Sequence, residues 1–225
     1  QAAFSAIRGA AASNIQIVTS DNKTVPAQAV AYDIATGFGL IKPLLPLRGV
    51  QPVALGSVGD VSNGESLMAA TGAQPDGDEA DVSMTQVVSK RAFSGYWEYH
   101  LDTAVFTSPP ISNHSGAPLF NQRGELVGIG SLYVGDAMGG NRRLPGNMFV
   151  PIDLLKPILA DLVKGGRRAG PARPWLGVST DEIQGRLVVS RVSPDGPADQ
   201  AGVKVGDIIL GVGGDGVRSQ PEFYR

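Results

Sequence analysis

Ser112-Asn-His-Ser-Gly-Ala-Pro-Leu-Phe-Asn-Gln-Arg-Gly-Glu-Leu-Val-Gly-Ile129 decides how the rest of the chain is read. Its first half is loop chemistry around one serine, Ser115. Its second half opens two short apolar runs, 118–121 and 125–133, parted by Gln122-Arg-Gly124. Runs of that length bounded by turn residues are strands. The same punctuation recurs outward in both directions, predicting strands over 14–19, 24–32, 39–42, 66–71, 82–89, 96–106 and 148–151. Thirty glycines and 16 prolines among 225 residues separate these runs, which is the composition of many short strands rather than of a helical bundle. The six strands beyond residue 65 suffice to close a small barrel, and the run 43–52 with its prolines is the crossover that leads to it.

One stretch has a different period. Leu154, Leu155, Ile158, Leu159 and Leu162 recur at helical spacing, with Asp153 as the cap and Gly165-Gly166 as the stop, predicting a helix over 152–164. A basic, Gly/Pro-rich connector then ends at Pro174, and a new unit follows it. In that unit, Gly202 and Gly206 permit a turn around a short helix, and 208–212 is expected as a core strand. Gly213-Gly-Asp-Gly216 lies between β segments and predicts a hairpin turn, not a phosphate loop.

Composition removes several function classes. The 19 basic and 21 acidic residues carry a formal charge of −2 with no basic block, so nucleic acid is not an expected partner. No cysteine is present, which excludes disulfides and thiolate metal sites. No apolar run approaches ~20 residues and 1–9 lack the features of a signal peptide, so no membrane span is expected. Nothing in the sequence calls for a cofactor, and His100 and His114 have no third metal ligand at recognisable spacing.

The 112–129 segment resembles the nucleophile loop of trypsin-like proteases, G-N-S-G-G-P-L followed by G-E-V-V-G-I, with Ser115 on the nucleophile. Asn147-Met-Phe-Val-Pro-Ile-Asp153, its helix and Pro174-Trp-Leu-Gly-Val178 resemble the HtrA/DegP order of barrel end, helix, hinge and PDZ start. Residues 185–211 are similar to PDZ domains, including S-P-A-x-x-A-G-L-x-x-G-D-I-I. The resemblance implies an all-β chain: a chymotrypsin/trypsin-like double β-barrel followed by a truncated PDZ domain. Residues 1–166 would be the protease domain, with 1–46 the remainder of barrel one and 47–166 barrel two plus its helix. Residues 167–174 would be the linker, and 175–225 a PDZ domain incomplete at its C-terminus.

A serine hydroxyl needs a base within hydrogen-bond reach, a group that orients the base, and donors for the oxyanion. The family's D-[IL]-A-L-[IL]-K strand aligns with Gly37-Phe-Gly-Leu-Ile-Lys42, so Gly37 replaces the aspartate. Its T-N-x-H-V-V pattern aligns with Phe4-Ser-Ala-Ile-Arg-Gly9, so Ile7 replaces the histidine. The oxyanion donors would be the N–H groups of Asn113 and Ser115, with Ala117 in place of a glycine. Only His100 and His114 carry imidazoles. Three readings follow: a pseudoprotease that binds peptides or scaffolds other proteins, a serine endopeptidase of envelope quality control using Ser115 with His114 or another group, and a divalent-metal binder through His100 and His114. The resemblance further implies a loop, Trp175, Leu176, Gly177 and Val178, that receives a peptide's terminal carboxylate beside a strand open to β-augmentation. It implies unfolded or C-terminal protein segments as ligands, a homo-oligomer or partner proteases, and a periplasmic or cell-envelope location.

Overall fold

The structure is a computed structural model that describes residues 15–72, 81–95, 99–171 and 174–224. Ile7 and the first residues of the strand expected over 96–106 lie outside them. The chain divides into two compact units, Gln1–Arg91 with Thr103–Ala169, and Ala92–Asp102 with Gly170–Arg225.

In the first unit β1 (Ile15–Val18), β2 (Thr24–Asp33) and β3 (Phe38–Pro43) form an antiparallel three-stranded sheet. The β2–β3 turn is built on Asp33. Its carboxylate accepts from the Thr36 hydroxyl at 2.6 Å and the Thr36 N–H at 3.0 Å, and its carbonyl accepts from Gly37 N–H at 2.8 Å. Gly37 sits at φ +77, where only glycine is unstrained. The Arg168 guanidinium lies 3.0 Å from the buried Asp33 carboxylate and ties residues beyond the helix back to this turn.

Six strands then close into a barrel in the order β4-β5-β6-β9-β8-β7: β4 (Ser66–Thr71), β5 (Asp81–Gly95), β6 (Tyr99–Ser108), β7 (Pro118–Phe120), β8 (Leu126–Val134) and β9 (Gly146–Pro151). Among the described residues, closure gives each of these strands a neighbour on both sides. Alternation aims Leu67 and Ala69 of β4 inward, where they meet Val87, Val105, Leu119 and Phe149 in one buried cluster. A 3-10 turn at Val58–Asp60 is held from two sides. Asp153 accepts its first N–H at 2.9 Å, and Lys90 Nζ donates to the carbonyls of Val58 and Val61 at 3.1 and 2.5 Å.

The single helix expected over 152–164 is two pieces, a 3-10 turn at Ile152–Leu154 and α1 (Leu159–Gly165). Pro157 explains the break, since it offers no N–H and its ring obstructs the preceding turn. Asp153 therefore serves the Val58 turn, and Ile158 stands at the N-cap of α1 with no side-chain cap. The glycine stop is present: Gly166 is left-handed at φ +69 and its N–H reaches the Leu162 carbonyl at 3.1 Å.

In the second unit β10 (Val178–Ile183), β11 (Arg186–Val192), α2 (Pro197–Gln200), β12 (Ile208–Ile209), β13 (Gly211–Val212), β14 (Asp215–Gly216) and α3 (Gln220–Tyr224) follow in order. Strands β10-β11-β12 form one sheet, and β13 and β14 pair as a hairpin whose turn places Gly213 and Gly214 at φ +61 and +97. That is the expected turn. The expected core strand over 208–212 is absent. Its residues form two short pieces, and Leu210 between them is 79% exposed, because none of the described residues covers that face.

Candidate active site and peptide-binding loop

Ser115 lies on the loop between β6 and β7, and the loop's shape is set from below. The fully buried Asn147 of β9 accepts the Ile111 N–H at 2.7 Å and so fixes the loop's entry. At its exit, Gly116 N–H donates to the Gly130 carbonyl and Gly130 N–H to the Ala117 carbonyl, both at 2.8 Å. Between these anchors Ala117 N–H closes on the His114 carbonyl at 3.0 Å. The loop lies so close to β8 that a Cβ on Gly130 would stand 1.9 Å from the His114 carbonyl oxygen. Asn113 takes φ +49, a left-handed conformation that asparagine tolerates better than most residues.

Ser115 is exposed, and among the described residues nothing hydrogen-bonds its hydroxyl. Its neighbour His114 is half-buried. Burial lowers the pKa of that ring, partly offset by a hydrogen bond to the Ile111 backbone within the same loop. The other imidazole is also engaged elsewhere: His100 Nδ1 lies 2.9 Å from Ser94 Oγ and Nε2 lies 3.4 Å from Asp102 Oδ1. Gly37 supplies a turn and no side chain. No group of three His, Cys, Asp or Glu side chains suited to a metal occurs among the described residues.

In the second unit Gly177 sits at φ +79 and its carbonyl accepts from Ser193 N–H at 2.7 Å, while the Leu176 carbonyl accepts from Ala198 N–H at 2.9 Å. Trp175 lays its ring against the loop, 3.3 Å from where a Gly177 Cβ would stand and 3.4 Å from where a Gly196 Cβ would stand. Val178 is buried and opens β10. The four residues thus form a braced turn feeding an edge strand.

Sequence reasoning passed over Asn147 and Gly130. Asn147 carried a signal, an amide placed directly before the apolar run 148–151. Gly130 carried none, because a strand glycine pressed against another backbone looks like any other glycine in sequence.

The sequence matches the trypsin-like peptidase domain over residues 3–129, more than half of the chain. The chain belongs to the trypsin-like peptidase family. Residues 188–224 match the PDZ domain. A "Probable periplasmic serine endoprotease DegP-like" of Ectopseudomonas mendocina is 29% identical over 90% of this chain and 43% of that protein. One of Pseudomonas putida, bearing the same name, is 30% identical over the same shares. The serine endoprotease DegS of Haemophilus influenzae is 37% identical over 43% of this chain and 28% of its own. The chain thus spans less than half the length of these curated relatives. Among solved structures, the HtrA-type protease AlgW with a decapeptide aligns at a TM-score of 0.59 and 21% identity, covering 96% of this chain and 67% of that one. With a tripeptide it aligns at 0.57 and 21%, covering 92% and 69%. The fold is that of HtrA proteases, a trypsin-like domain with a PDZ domain.

Proposed function

We propose that this HtrA/DegP-like chain is a pseudoprotease that binds peptide segments and does not cut them. The observation that carries the reading is that, among the described residues, no base hydrogen-bonds the Ser115 hydroxyl, while His114 is half-buried beside the Ile111 backbone and His100 lies against Ser94 and Asp102. Gly37 and Ile7 stand at the aligned aspartate and histidine positions, so neither aligned position supplies a base or a group to orient one. Asn113 and Ser115 would still offer backbone donors, but a comparable protease without its base or nucleophile loses about 10⁶ in rate.

The peptide-binding part of the reading rests on the braced loop Trp175, Leu176, Gly177 and Val178 leading into edge strand β10, with residues 167–174 as the linker before it. Ligands would be unfolded or C-terminal protein segments, held through backbone N–H groups and by strand addition. The names of the relatives support a periplasmic location, and homo-oligomers or partner proteases would supply the assembly context. The purified chain is expected to leave unfolded casein uncut over hours. Cleavage that Ser115→Ala abolishes would replace this reading with that of an active endopeptidase.

A further inference from the structure

Among the described residues strand β10 pairs with β11 on one side and with no strand on the other, since the sheet runs β10-β11-β12. An edge strand of this kind keeps backbone donors and acceptors available for an added strand. On β10 that availability is curtailed from within the chain. Gln220 at the start of α3 donates its side-chain amide Nε2–H to the Thr180 carbonyl. Its own backbone N–H donates to Glu182 Oε1 at 2.7 Å, so α3 is fastened to β10 at two residues, 180 and 182. At the other end of α3 the Tyr224 hydroxyl lies 3.2 Å from Thr180 Oγ1, and both side chains are buried. Thr180 sits two residues beyond Val178, where the Trp175–Val178 turn becomes strand.

We propose that Gln220 is an internal competitor for the peptide site, its side-chain amide standing in for a backbone N–H of an incoming strand at the Thr180 carbonyl. The proposal rests on the peptide-binding reading above. An amide is apt for this role because it presents the same N–H donor as a peptide bond. A peptide adding to β10 must displace the Gln220 amide from Thr180, and only segments whose remaining contacts outweigh that loss stay bound. Apparent affinity falls by the fraction of molecules with the amide withdrawn. Gln220 would therefore set a threshold that rejects weakly matching chain ends.

The experiment uses a fluorescein-labelled decapeptide ending in Ala-Ala-Val with a free carboxylate, the same peptide with a C-terminal amide, and fluorescence anisotropy. Gln220→Ala removes the competing donor and leaves the backbone contact to Glu182. It is expected to bind the free-carboxylate peptide about fivefold more tightly than wild type, the effect of one net hydrogen bond. Gln220→Glu keeps the stem but offers only acceptors to Thr180, so it gives the same direction of change if the alanine variant proves unstable in a thermal melt. Binding by wild type with no gain in either variant overturns the competitor role. Absence of binding by all three proteins, or equal binding of the amidated peptide, overturns the peptide-site reading beneath it and the proposal with it.

Discussion

Gly130→Ala tests how the Ser115 loop is supported. The added methyl would stand 1.9 Å from the His114 carbonyl oxygen and 3.3 Å from Phe149 Cε1, and the first of these is backbone that no side-chain rotation relieves. Either the loop lifts off β8 or β8 yields. Lifting forfeits the two 2.8 Å hydrogen bonds that join Gly116 and Ala117 to Gly130, at roughly 1 kcal/mol each, and residual crowding against the buried Phe149 adds about 1 kcal/mol. The expected loss is about 3 kcal/mol. For a chain of this size that lowers the melting midpoint by roughly 6–12 °C. The assay is thermal and urea unfolding followed by far-UV circular dichroism. Gly135→Ala is the control, since a Cβ there meets nothing within 4 Å, and its effect should stay within about 0.5 kcal/mol. If Gly130→Ala is as stable as the control, the loop does not rest on β8 as described.

Asn147→Ala leaves the Ile111 N–H without its acceptor and should cost about 1–3 kcal/mol in the same urea titration, with amide exchange at Ile111 accelerated. His114 gives a pH signature. Its ring is pushed below the ordinary value of about 6.5 in the folded chain, so the unfolded chain binds protons more readily and stability contributed by the neutral ring is lost as pH falls below about 6.5. The urea midpoint should drop between pH 7.5 and 5.5, and His114→Gln should flatten that drop; an unchanged pH dependence in the variant would contradict the burial of the ring. Asp153 behaves as an acid-side counterpart. Burial raises its pKa, but hydrogen bonds from Val58 and Ser57 outweigh burial and leave it lowered, so its contribution is present above about pH 3.8 and vanishes as pH falls through the folded value. Asp153→Asn should show a smaller loss of stability between pH 5 and 3 than wild type.

Much of the architecture was legible in local pattern. The run 66–71 coincides with β4, the runs 14–19 and 24–32 pair as β1 and β2, and Gly213-Gly214 forms the expected hairpin turn, because turn chemistry and period-2 alternation act within a few residues. The helix over 152–164 failed where one residue overrode a correct period: five apolar positions fit a helix, and Pro157 alone divides it. The 208–212 run failed differently. Its apolar residues suit a core strand, but burial depends on what lies opposite, and the described residues leave Leu210 open.

The site was legible in residue type and not in geometry. Ser115 could be found from the resemblance of its loop to the trypsin-like pattern, and the two histidines by counting. Which way each imidazole points depends on the Ile111 backbone and on Ser94, contacts that no spacing rule reports. The Asp33 turn illustrates the same limit, since its partner Arg168 comes from the far end of the domain.

On the proposed reading the Ser115 hydroxyl is not activated. Exposure of the purified protein to a fluorophosphonate, followed by intact-mass and peptide mapping, addresses it directly. No phosphonylation of Ser115 is expected after an hour at neutral pH, and stoichiometric labelling of that residue within minutes would show an activated hydroxyl.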